Sequence, residues 1–205
     1  MTQYSQRAQS ELNFDPRLWD LGQVAGRTTG ACFWLCLAAG LAERGPHAFA
    51  QALPDDCPEQ PAVQELIALG VQRCVDAGVR HSPLGVVAEA LRIRFCGGEA
   101  AVLLRADMKA RIYNAFAGLA VGDSARTEAM YTRWVQRLAT REFADELVVL
   151  CVALELAVRI TIIPYTPTRA LGQWAISTYG PEGADVVLHL GNNDVHYVYL
   201  SQGPR

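Results

Sequence analysis

The chain has 205 residues, 51% of them hydrophobic and 19% charged, with a formal net charge of −3. That is enough apolar material for one sizeable core and excludes wholesale disorder. It also excludes a strongly basic domain, so no nucleic-acid partner is expected. In chain order, residues 1–20 are polar, and "FDPRLWD" within them reads as an extended arm ahead of a domain over 21–205. The longest apolar run, "ACFWLCLAAGLA" (31–42), reads as a helix over 32–43 that "ERGP" ends. It is too short to span a bilayer, so no membrane partner is expected. "LPDDCPEQP" holds three prolines and reads as a loop. "AVQELIALGVQRCVDAG" (62–78) predicts a helix with Val63, Leu66, Ile67, Val71, Cys74 and Val75 on one face. Further helices are expected over 84–93, 100–118, 124–139 and 142–156, the last with Leu147, Leu150, Cys151 and Leu154 at helical spacing. The period then changes. "VRITIIP" (158–164) is β-branched and apolar, and "QWAIST", "DVVLHL" and "VHYVYL" follow it as strands between turns rich in Gly, Pro and Asn. The plan is α+β: helices packed on a central, mostly antiparallel sheet formed as a C-terminal meander.

The six cysteines are set in apolar helical patterns, as with Cys36 between two leucines and Cys151 between Leu150 and Val152. Buried free cysteine behaves as a small hydrophobe, so thiols in a reducing compartment are expected rather than disulfides. The polar first fifteen residues give no secretory leader, and the expected location is the cytoplasm. No Cys-x-x-Cys pair occurs, and His47 and His81 stand apart, so neither a metal nor another cofactor is expected.

Two of the cysteines raise a chemical question. Thr28, Thr29 and Gly30 precede the apolar run and are natural helix-start residues, which puts Cys32 in the first turn. There the unpaired amides and the macrodipole favour the thiolate, the reactive form, and the backbone N–H groups of Thr29, Gly30 and Ala31 can hold an oxyanion. Cys36, one turn later, should face the core. A thiol nucleophile needs a base, and His196 in "GNNDVHYVYL" is the candidate, at the start of the last strand. Asp194, two residues before it, falls on the same face and would orient the imidazole, with Asn192 or Asn193 the alternative for that role. His189 lies mid-strand in "VVLHL" and is the weaker base. Against this stands the plain reading that a cysteine in an apolar helix and a histidine near a strand end are structural.

The order of three segments carries a family resemblance. "TGACFWLCLAAGL" resembles the nucleophile motif of the ovarian-tumour (OTU) cysteine proteases, an Asp-Gly-x-Cys-aromatic run that opens a helix. "EFADELVVLCVALELAVRITIIPY" resembles that family's helix leading into a buried strand, and "DVVLHLGNNDVHYVYL" its closing strand, turn and His-Tyr pair. The helical stretch over 100–141 looks like the arm of the otubain branch. The resemblance implies a papain-like OTU fold and a monomeric deubiquitinase acting on ubiquitin or polyubiquitin, in the cytoplasm or, for a delivered effector, in the host cytosol. It makes Cys32 the nucleophile and His196 the base. Thr29 stands where the family usually has aspartate, and Val198 where the otubain branch places its acid, which leaves Asp194 as the substitute. The rival readings are a ubiquitin-binding module without catalysis and a papain-type hydrolase of small substrates. Against the latter, Gly26 occupies the place six before the nucleophile where papain-type enzymes carry glutamine.

Overall fold

A computed structural model of the protein describes residues 16–19, 21, 30–78, 82–140, 143–164, 176–192 and 196–202, with the backbone alone for 16–19 and 202. In chain order the elements are β1 (Pro16–Trp19), α1 (Cys32–Arg44), α2 (Ala48–Ala52), α3 (Gln60–Asp76), α4 (Pro83–Cys96), a 3₁₀ turn (Val102–Leu104), α5 (Ala106–Leu119), α6 (Ser124–Thr140), α7 (Glu146–Glu155), β2 (Arg159–Pro164), β3 (Ser177–Tyr179), β4 (Val187–Asn192) and β5 (Tyr197–Gln202). The class is α+β, as the sequence predicts.

The core is built around α1. Its residues from Cys32 through Leu41 are all buried, so the helix is apolar on every side and sits inside the molecule rather than on it. One side packs on β4 and β5, the other on α3 and α4. Gly40 makes the sheet contact close: a Cβ there would lie 3.0 Å from a Leu188 methyl and 3.4 Å from the Tyr199 ring. At the far end of the helix, Glu43 accepts hydrogen bonds from the Tyr199 hydroxyl at 2.6 Å and from Ser201 Oγ at 2.9 Å, tying α1 to β5.

The sheet corrects the expected meander. Its strand order is β1-β5-β4-β2-β3. The β1–β5, β5–β4 and β2–β3 pairs are antiparallel, but β2 and β4 run parallel side by side, so the sheet is mixed. The reason lies in β2. Ile160 and Ile163 point to opposite faces and both are fully buried, so the strand needs a neighbour on each edge and cover on each face. The short β3 supplies one edge and β4 the other. β1 closes the opposite edge along β5, so residues 16–19 of the expected arm are part of the sheet; residues 1–15 lie outside the described residues.

Several helix boundaries also differ from the expectation. Gly70 (φ 76°, ψ 160°) interrupts α3, a backbone excursion open to glycine at little cost. The stretch expected as one helix over 100–118 opens with the 3₁₀ turn, passes through extended Arg105 (ψ 143°), and turns helical at Ala106. The stretch expected over 142–156 becomes helical only at Glu146, because the Asp145 carboxylate accepts the Val148 N–H at 3.1 Å as an N-cap. The short α2 was not expected. For the strand expected at "QWAIST", only its last residues fall in β3; residues 171–175 lie outside the described residues.

The helices α5 and α6 form a hairpin that packs into the domain. Met108, Ile112 and Phe116 from α5 meet Tyr131, Val135 and Leu138 from α6 in the common core. The Tyr131 hydroxyl donates to the Leu103 carbonyl, and Trp134 Nε1 donates to Asp145 at 2.8 Å. Arg105 forks onto Glu155 at 2.7 Å and Asp107 at 3.0 Å, fastening the base of the hairpin to α7. Among the described residues no helix is long and apolar enough to cross a membrane.

Candidate active site

The site forms where the start of α1 meets the start of β5. Gly30 has φ +63°, a left-handed conformation that suits glycine, and it turns the chain into the helix. Ala31 is the N-cap, and having no side-chain oxygen it leaves the first turn without a side-chain cap. Cys32 is the first helical residue. Its Sγ accepts a hydrogen bond from the Tyr197 backbone N–H at 3.5 Å. That amide belongs to the peptide bond joining His196 to Tyr197, so residues 165 positions apart in the chain meet at one point. The sulfur therefore accepts a backbone hydrogen bond at the positive end of the helix.

The tyrosine of the His-Tyr pair anchors the junction. Its ring is buried and stacks edge-on against Phe33 at 5.3 Å, and Phe33 in turn meets Trp34 at 5.1 Å. Burial first, then the neighbouring Cys32 charge, raises the Tyr197 hydroxyl above its ordinary pKa, so the phenol stays neutral. His196 immediately precedes β5 and is partly buried. Asn192 opposes Tyr197 in the register, and its Oδ1 is buried without a hydrogen-bond partner. Buried acceptors are seldom left unsatisfied, which makes this atom a polar feature of the site that residue spacing alone does not reveal.

Of the residues picked out by sequence, Cys32, Gly30 and Ala31 come together with the His196–Tyr197 junction. Thr29 and Asp194 lie outside the described residues. Cys36 sits one turn along α1 and is fully buried. His189 is set apart: it is mid-β4, opposite Thr161, and burial, with a smaller effect of the Arg44 charge, lowers its pKa to about 4. The six cysteines are thiols, and five are buried. Burial pushes Cys96 and Cys151 up to about 12, which leaves them protonated and unreactive at neutral pH. Cys32 itself is 4% exposed, so its sulfur is largely covered. Among the described residues no group of three or more His, Cys, Asp or Glu side chains is placed to hold a metal ion.

The arrangement is a thiol at a helix start held against the backbone amide that follows His196. Comparison with protein-family models and with curated proteins finds no match.

Proposed function

We propose that the protein is an OTU-type thiol hydrolase that cuts after the C-terminal glycine of ubiquitin or a ubiquitin-like protein. The observation that carries this reading is the Tyr197 N–H on Cys32 Sγ at 3.5 Å, which puts a first-turn cysteine against the residue that follows the only histidine at the last strand's start. The α+β class and the order of the three segments that resemble the OTU family support it.

On this reading His196 takes the thiol proton and Cys32 Sγ attacks the glycine carbonyl carbon. The backbone amides at Thr29, Gly30 and Ala31 hold the oxyanion as it forms. The C–N bond then breaks, the amine leaves with the proton from His196, and water hydrolyses the thioester to a free carboxylate and the thiol. Asp194 orients the imidazole.

A second reading is favoured by the burial of Cys32 at 4% exposure: an OTU-like module that binds ubiquitin and turns over slowly or not at all. Reactive cysteines sit in partly exposed positions, and a covered sulfur must be uncovered before a substrate carbonyl can reach it. Incubation with a panel of di-ubiquitins separates the two. Cleavage by the wild type and none by Cys32→Ala supports the hydrolase. Saturable ubiquitin binding with no cleavage of any linkage assigns the module instead.

A further inference from the structure

The tip of the α5–α6 hairpin carries a feature that the candidate active site does not use. Leu119 is 65% exposed and Val121 is 89% exposed, the two most exposed of the large hydrophobic residues described. Ala120 between them is only 2% exposed, so the turn is seated while its two larger neighbours project. Val121 also has φ +54°, and Gly122 after it has φ +80°. The left-handed region is a genuine outlier for a β-branched residue, and glycine or asparagine would serve the turn better. A strained valine almost wholly in water improves neither folding nor solubility. Strain of this kind persists at places where another requirement holds the residue.

Charge supplies the second observation. The chain as a whole is at −3, but the hairpin over residues 105–140 carries six Arg and Lys against three Asp and Glu. Lys109 pairs with Glu128, and Arg105 with Asp107. Asp123, the acid nearest the tip, accepts the Arg126 backbone N–H at 2.9 Å and so holds the start of α6. Arg126 lies five residues beyond Val121 and is exposed. Arg111 is exposed too, about 12 Å along α5 from Leu119.

We propose that the α5–α6 tip docks on an anionic lipid surface, with Leu119 and Val121 entering the interface and Arg126 and Arg111 lying against the headgroups. Two aliphatic side chains on a convex turn offer far less than the roughly 1,000 Å² that a specific protein interface needs. A bilayer sets no such threshold. A small apolar wedge with adjacent cations is the pair of signals that gives reversible membrane binding when neither suffices alone. That no helix among the described residues is long and apolar enough to cross a bilayer is no obstacle, since the contact is peripheral.

The full chain is tested by co-sedimentation with vesicles of phosphatidylcholine alone and of phosphatidylcholine with phosphatidylserine at roughly two to one. The wild type should bind the second and not the first, and should be released at about 1 M salt, where screening acts within about 3 Å. Val121→Gly should weaken binding by about tenfold, the worth of one buried aliphatic side chain. It should at the same time leave the melting temperature unchanged or raise it, because the strain is relieved. Arg126→Gln should weaken binding by about fivefold. The proposal is overturned if the wild type ignores the anionic vesicles, or if Val121→Gly binds them as well as the wild type does. Val121-dependent self-association in sedimentation velocity without vesicle binding would also overturn it, and would assign the tip to a second copy of the chain.

Discussion

At the scale of single residues, two cysteines that share one helix differ in what they touch. Cys32 touches the Tyr197 amide at the helix start, whereas Cys36 is fully buried one turn on. Cys36→Ala should cost about 1–2 kcal/mol of stability, the price of a small cavity, and leave reactivity intact. Chemical denaturation with a parallel alkylation assay reads both quantities. Gly30→Val should damage the site by a different route. At φ +63° a β-branched side chain costs about 1–3 kcal/mol, and relief of that strain would swing the loop away from Cys32. A Gly30→Val protein that folds with wild-type stability and reacts at the wild-type rate would show that the loop does not depend on this conformation. His189 gives a pH prediction. Its folded pKa of about 4 lies below the ordinary 6.5, so the unfolded chain binds the proton more readily. The stabilisation is therefore complete above pH 6.5 and is lost as the pH falls toward 4, by no more than about 3 kcal/mol in all. His189→Asn should flatten the curve of stability against pH across that window, and an unchanged slope would place the titration elsewhere.

At the scale of elements, caps and cross-ties decide where segments begin and what they meet. Asp145 accepts both the Val148 N–H and Trp134 Nε1, so it starts α7 and joins it to α6 at once. Asp145→Ala should cost about 1–3 kcal/mol, and Asp145→Asn should recover most of the loss, since asparagine also caps well. Equal loss in both variants would mean that the carboxylate charge matters more than the hydrogen bonds. The same residue shows what the sequence made legible. The apolar period of α7 was readable, but the cap at Asp145 was hidden in "EFADE", where several acids compete for the role. The faces of α3 were readable because its buried residues recur at helical spacing, while the break at Gly70 was not, because isolated glycines also occur inside helices. Strand positions followed from β-branched runs. Their partners did not: the parallel β2–β4 pairing depends on the burial of β2 on both faces, a property of the assembled sheet. At the candidate site, the place of Cys32 at a helix start was legible from Gly30 and the apolar run after it. The Tyr197 amide on its sulfur was not, because backbone donors leave no mark in side-chain spacing.

At the scale of the whole molecule, one buried helix organises both the core and the site. α1 is sandwiched between β4 and β5 on one side and α3 and α4 on the other, so its first residue is held against the first residue of β5 by the packing of everything behind it. The Glu43 bonds to Tyr199 and Ser201 fix the other end of the same pair of elements. Glu43→Ala should thus lower stability by about 1–3 kcal/mol and slow Cys32 chemistry modestly, by letting α1 shift along β5. Stability lost without any change in the rate of Cys32 alkylation would separate the two ends. The central claim is that Cys32, and no other cysteine, is a nucleophile served by His196 and aimed at the C-terminus of ubiquitin. It is tested most directly by incubating the folded protein with ubiquitin carrying a C-terminal electrophile and mapping the adduct by mass spectrometry. The expected result is one ubiquitin per chain on Cys32, slow labelling of His196→Ala, and none of Cys32→Ala. An unlabelled but well-folded wild type, or an adduct on another cysteine, would contradict it.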